Sequence, residues 1–385
     1  MILKRCAGKA SFDDLSCPIY PFCFSIRHVR LNFEFIFFDS TLENILFEKI
    51  NLSHVRNMIN ICKYTFGRKM VFRGIPTKSV YEKSFCYHNS LYNEDRHLIQ
   101  VSSYVSGETN SGTFNSHIHA PNTPHLDITS GLTIENGFWI GYFHTHYGHF
   151  LLSTIQRLWS IDRDKDFFLS PNFEESQIYS FDYIQIIFEA LEIDVSKITS
   201  LKDGTLLKNT TVNQPIFIEN DYCYSKWSDF MKSISKKIIN YYNRNESKSP
   251  VYISRSKVLS GTRHFEGEES LCETLKIFGI DTIHPEEMSF NEQLRFWNQN
   301  KTFIGFSGSS FITSAFFEGK NLIILNHDDY VFGSQLMIDK VSKNNSIYIN
   351  IDNFISRNYP QNRSYSIINY NAIISQIMHA IRMFE

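Results

Sequence analysis

The chain runs to 385 residues, more than one ordinary small core needs and enough for two domains of comparable size. Its 38 Lys and Arg against 40 Asp and Glu leave a formal net charge of −2, which excludes a general nucleic-acid binder held by charge. Seven cysteines without a Cys-x-x-Cys pair argue for reduced thiols in the cytosol and against a disulfide framework.

Along the chain, Met1 to Tyr20 carries Lys4, Arg5, Lys9, Asp13 and Asp14 and no apolar core, so it does not read as a signal peptide. The apolar run Leu31 to Phe38 is interrupted by Asn32 and Glu34 and is too short to cross a bilayer. The expectation is a soluble cytoplasmic protein, with peripheral contact at the inner face of the membrane left open. Met70 to Phe72 reads as a short strand, and Ser102 to Ser130 has loop composition. Gly137 to Phe143 reads as an aromatic strand, and His149 to Ser160 as a helix with its apolar residues at helical spacing. A buried strand at Phe167 to Leu169 and a helix from Ser176 to Leu191 follow. The Thr- and Asn-rich stretch Lys202 to Pro215 is the candidate domain boundary. Trp227 to Tyr242 forms a long amphipathic helix whose polar face carries Lys232, Lys236 and Lys237.

The C-terminal half has the sharper pattern. Strands are expected at Val251 to Ser254, Ile280 to Ile283, Thr302 to Ile304 and Leu322 to Leu325. Between them lie helices at Glu268 to Phe278, stopped by Gly279, at Phe290 to Trp297, opened by a Ser289/Glu292 capping box, and at Phe311 to Phe317. This alternation implies a parallel sheet covered by helices, with ligands at the carboxyl ends of the strands. A last amphipathic helix spans Tyr370 to Met383.

Two constellations could carry chemistry. The first is the small-residue turn Gly305 to Ser310, which lets a ligand approach the backbone and points N–H groups at an anion. Arg255 and Arg263 lie upstream and suit a diphosphate through forked contacts, unless Glu266, Glu268 and Glu269 pair with them instead. The second is Phe143-His144-Thr145-His146-Tyr147-Gly148-His149-Phe150. Three histidines within six residues invite a metal hydrolase using His144, His146 and His149, yet no fourth ligand stands at a suitable spacing. Alternatively His149, after a glycine at a helix start, could take a proton from an acceptor hydroxyl, or simply cap that helix.

Tyr147-Gly148-His149-Phe150-Leu151-Leu152, followed by Arg157-Leu158-Trp159, resembles the signature of glycosyltransferase family 61. Tyr252-Ile253-Ser254-Arg255, Arg263 with Glu268, Ser289-Phe290 with Glu292-Gln293, and Gly305 to Thr313 resemble further segments of that family in the same order. The resemblance spans about Gly141 to Leu325, and the first 130 residues lie outside it. It implies an α/β protein of GT-B architecture, two Rossmann-like domains facing across a cleft. Residues 1–210 would form the acceptor side, 211–365 the nucleotide-sugar domain, and 366–385 a helix packing back on the N-terminal domain. It further implies inverting transfer without a metal or other cofactor, from a nucleotide sugar, UDP by default, to a glycan or lipid-linked acceptor in cell-surface polysaccharide synthesis. His149 becomes the candidate base, and Arg255, Arg263, Gly308, Ser309 and Ser310 the phosphate site. Ser307, Glu268 and Glu292 become candidate nucleotide or sugar contacts. The chain departs from the family where Ser153 replaces an acidic residue and Ser307 a histidine. It departs again where Ser309 and Ser310 replace Ala and Gly, and where Ile324 stands near an expected acid. Those changes keep a non-catalytic nucleotide- or glycan-binding protein in view.

Overall fold

The computed structural model describes residues 59–107, 132–171, 173–240, 247, 249–258, 263–358 and 364–385. The expected run Leu31 to Phe38 and most of the loop from Ser102 to Ser130 lie outside them. Among the described residues no helix is long and apolar enough to cross a membrane.

The fold is mixed α/β. In the C-terminal half, five strands lie in the order 281–283, 251–253, 302–306, 321–326, 345–350, and every neighbouring pair is parallel. The strands are near-continuous apolar runs because both faces are covered. Phe303, Leu322, Ile324 and Tyr348 face one core, shared with the helix Phe290–Gln299, the tight helical turns Ser309–Phe316 and the helix Gly333–Ser342. Ile304, Ile323, Leu325, Ile347 and Ile349 alternate onto the other face, against the helices Glu268–Ile277 and Tyr370–Arg382. Gly279 ends the 268–277 helix at φ +76, a conformation open to glycine, and the Ser289/Glu292 capping box forms as expected.

The final helix packs on the five-stranded sheet. Ile373, Ile374, Ile377 and Ala380 bury against it and the 268–277 helix. The neighbour it takes from the start of the chain is Asn60, whose N–H is accepted by Gln376 Oε1 at 2.6 Å. An apolar stripe docks on the nearest uncovered apolar surface, and here that surface belongs to its own half.

The N-terminal half is built on a seven-stranded sheet in the order 90–92, 78–87, 206–213, 137–139, 167–171, 198–201, with 133–135 also pairing 206–213. It is mixed. Strand 78–87 runs antiparallel to 206–213, whereas 137–139, 167–171 and 198–201 are parallel. Within the stretch Lys202 to Pro215, expected as a boundary, Leu206–Asn213 is a central strand, burying Leu207, Thr210, Thr211 and Val212. Its Thr and Asn content reads as loop, but β-branched Thr fits a pleated, covered surface. The expected 176–191 helix divides at Phe181 into a short turn, Glu175–Tyr179, and the helix Asp182–Ala190.

The helix Lys226–Ile239 joins the halves, touching 182–190 on one side and 290–299, 309–316 and 333–342 on the other. Trp227, Phe230, Met231 and Ile234 fill the shared core. On its polar face Lys232 meets Glu318 at 3.0 Å and Lys237 meets Glu192 at 2.6 Å.

Candidate active site

The aromatic strand expected over 137–143 stops at Trp139, and Gly141 follows at φ +101. A side chain there would collide with the buried Arg157 guanidinium, which donates to the Val101 and Ser103 carbonyls. Arg157 thus anchors the segment from below. The helical run begins at Tyr147, two residues earlier than expected, and widens to π-helical pitch over Phe150–Thr154 before tightening over Ile155–Ser160. Such irregular turns often accompany functional side chains.

His149 sits at the head of this run. Its Nδ1 lies 2.7 Å from Glu219 Oε1, and the same oxygen accepts the Ser153 hydroxyl at 2.6 Å. The imidazole is 44% exposed and the carboxylate 13%, so the ring faces the cavity and the acid stands behind it. The hydrogen bond from Glu219 raises the His149 pKa above its ordinary value, against the opposing effect of burial. Burial pushes Glu219 upward, but His149 and Ser153 together hold it below the ordinary carboxylate value. Glu219, 66 residues beyond Ser153, thus meets both Ser153 and His149. No feature of the local sequence marks Glu219. The only available signal was a hairpin turn between Phe217-Ile218 and Tyr222–Tyr224.

The opposite wall begins where strand 302–306 ends. Gly305 packs against the neighbouring strand so closely that an added Cβ would stand 2.7 Å from the Ile253 carbonyl oxygen. Gly308 is extended, and a Cβ there would stand 3.4 Å from Arg255 Nη1. Arg255 reaches the turn from beneath, with Nη1 3.5 Å from the Ser307 carbonyl and the guanidinium 5.8 Å over the Phe265 ring. Its Nε is buried and meets no hydrogen-bond partner among the described residues. Glu268 does not neutralise this guanidinium by a hydrogen bond. It accepts the Arg255 backbone N–H at 2.9 Å and the Tyr252 hydroxyl at 3.0 Å, and burial raises its pKa. Arg263 lines the cavity with its guanidinium 6.0 Å over Phe332.

A third arginine, Arg357, stands behind this wall. It pairs across the strands with Tyr365, which pairs in turn with Phe265, so the three share one face of a small sheet. The buried His327 ring packs 5.1 Å from Tyr365. Burial, then Arg263, Arg357 and Arg255, push His327 down to about 3, so it is neutral near pH 7.

The two walls meet directly. A Cβ on Gly148 would lie 2.9 Å from Ile312 Cδ1 and 3.2 Å from Ser309 Cβ, and the Tyr147 hydroxyl is 2.9 Å from Thr313 Oγ1. Between them opens a cavity of about 330 Å³ lined by His149, Glu219, Arg263, Ser307, Gly308 and Ser309, with Ile324 and Phe311 among its apolar walls. Arg255 supports this cavity from behind. Two expected ligand contacts fall elsewhere: Glu268 is a buried brace, and Glu292 is an exposed cap whose carboxylate accepts Ser289 N–H and hydroxyl. Ser310 does not line the cavity, and Ser309 does. The rings of His144 and His146 stand 5.2 and 5.3 Å from that of His149. Among the described residues no group of three or more His, Cys, Asp or Glu is placed to hold a metal ion, so the hydrolase reading gains no support.

The arrangement offers an imidazole held by a carboxylate on one wall and the Arg263 guanidinium on the other, with Arg255 behind the Gly308 turn. Residues 147–324 match the family described as Glycosyltransferase 61. No curated protein matches the chain.

Proposed function

We propose, from the match of residues 147–324 to the glycosyltransferase 61 family, that the chain is a glycosyltransferase of that family and transfers a sugar, with inversion, from a nucleotide sugar to an acceptor hydroxyl. The observation that carries this reading is the contact of Gly148 with Ser309 and Ile312, which sets His149 and the Gly308 turn on facing walls of one cavity. In a direct displacement the acceptor oxygen attacks the anomeric carbon as the nucleotide leaves from the opposite face. His149 Nε2 takes the acceptor proton, and its hydrogen bond to Glu219 steadies the resulting imidazolium. Arg255, Arg263 and the backbone at Gly308 and Ser309 hold the diphosphate and offset its growing charge. Arg255 acts in this proposal from behind the turn, with Nη1 3.5 Å from the Ser307 carbonyl.

In this proposal the leaving group needs no divalent cation, because the guanidinium groups supply the positive charge. UDP is the proposed nucleotide and a glycan or lipid-linked saccharide the proposed acceptor, in cell-surface polysaccharide synthesis at the cytoplasmic face of a membrane. GT-B geometry is part of the same proposal, with the seven-stranded sheet on the acceptor side and the five-stranded sheet on the donor side.

The test is a thermal-shift panel of UDP, CMP, GDP and ADP with their common sugars, with and without EDTA, followed by product analysis for the responding donor. A ligand bound at 100 times its Kd adds about 2.7 kcal/mol of stability. A selective, EDTA-insensitive rise that Arg255→Ala removes supports the reading. Melting temperatures unmoved by every nucleotide would sink it.

A further inference from the structure

We infer that Glu219 is the positioning residue of the site: its carboxylate fixes the His149 imidazole with Nδ1 protonated and Nε2 turned to the cavity, and the donor-side wall sets where Glu219 stands. This deepens the proposed transfer reaction and rests on His149 being its base.

The argument begins with the turn that carries the acid. Phe217–Ile218 and Tyr222–Tyr224 form an antiparallel hairpin, and Glu219, Asn220 and Asp221 make the turn. Asn220 adopts φ +55, a left-handed conformation that Asn tolerates better than most residues. The turn is gripped from three sides. Gly107 N–H donates to the Glu219 carbonyl at 2.6 Å, and a Cβ on Gly107 would stand 2.3 Å from the Asn220 carbonyl oxygen. A Cβ on Gly67 would stand 2.4 Å from the same oxygen. From the donor side, Ser334 Oγ accepts the Asn220 N–H at 2.8 Å, while Ser334 N–H donates to Asn220 Oδ1 at 3.1 Å. Ser334 opens the helix 333–342, which packs under the donor sheet and lines the same cavity. A shift of that helix would therefore move Asn220, and Glu219 beside it.

The chemistry follows from what a carboxylate can do. Ionised, it only accepts, so a neutral His149 facing it at 2.7 Å must carry its proton on Nδ1. The Nε2 lone pair then has the cavity to face. Other groups act on the same ring: His144 and His146 beside it, Ser153 and Tyr104 around the carboxylate, and Arg263 on the far wall. Glu219 is in hydrogen-bond contact with the imidazole.

The experiment is a ring-nitrogen NMR titration of histidine-labelled protein, with the His149 signals assigned through His149→Ala. It needs no donor or acceptor. In Glu219→Gln we expect the His149 pKa to fall and its neutral form to become a mixture of tautomers. Glu219→Asp should restore part of both. Ser334→Ala, which leaves the pair itself intact, should give a smaller change of the same sign. In a transfer assay Glu219→Gln should lower kcat by about tenfold or more with donor KM unchanged, and move the acid limb to lower pH. A His149 titration identical in wild type, Glu219→Gln and Ser334→Ala overturns the inference, whatever the transfer assay gives. A shifted titration in a wild-type protein that transfers no sugar supports the positioning and removes only the proposed reaction.

Discussion

The two walls of the cavity treat charge in opposite ways. On the His149 wall, the imidazole and the Glu219 carboxylate meet at 2.7 Å and a serine hydroxyl satisfies the same acid. On and behind the other wall, Arg263, Arg357 and Arg255 bear on a single histidine, which burial first and then their charge keep neutral. The first wall is complete as it stands and suits a proton that moves over a short distance. The second concentrates positive charge, and in Arg255 Nε it keeps a buried donor with no partner among the described residues. A buried, unsatisfied donor costs on the order of 1–3 kcal/mol.

Substitutions on each wall should separate these roles. The largest effect belongs to His149→Ala, expected to lower kcat by about 10²–10⁴-fold while nucleotide binding, read by calorimetry, is kept. Equal loss of nucleotide binding would merge the two walls into one function. Arg255→Ala should do the reverse, weakening nucleotide binding by about 10–150-fold, the equivalent of about 1.5–3 kcal/mol for a charge-assisted contact. An unchanged nucleotide Kd would remove Arg255 from the site.

Acid stability gives the third contrast. Burial, then the three arginines, lower the His327 pKa from 6.5 to about 3. Between those values the unfolded chain holds a proton that the folded chain lacks, so stability falls as pH falls through this window. At pH 5 the deficit is about 2 kcal/mol as an order of magnitude. Urea melts of His327→Gln at pH 7 and pH 5 should differ less than those of the wild type. An unaltered pH slope would show that His327 is not held neutral. The smallest effect is expected for Gly148→Ala, whose new methyl meets the flexible end of Ile312 at 2.9 Å. Moving the Ile312 side chain aside there should cost about 1 kcal/mol of stability, the low end for an added methyl. Donor KM should rise with it, and a variant with wild-type melting and KM would mean that the walls do not depend on that contact.

The same contrast governs what could be read in advance. The arginine wall grows from a sheet whose strands and helices alternate within short stretches. Strands 251–253, 281–283, 302–306 and 321–326 appear within a few residues of their expected places, as do the Ser289 cap and the Gly279 stop. The His149 wall depends on pairings that no window contains. Strand 206–213 looks like a linker until it is seen between 78–87 and 137–139. Glu268 and Glu292 show the limit of matching residue types to roles, since one is consumed by Tyr252 and a backbone N–H and the other by its own helix cap.

Local sequence thus determined the parallel C-terminal sheet, the Gly308 turn, the position of Arg255 at a strand end and the helix that presents His149. These depend on side-chain periodicity, caps and glycines acting over a few residues. Tertiary structure alone decided that Glu219 stands behind His149, that Arg357 joins Arg255 and Arg263, and that the last helix covers its own half. Each is a contact between segments 60 or more residues apart, or a choice among apolar surfaces, and such choices are made by packing and burial after the local elements exist.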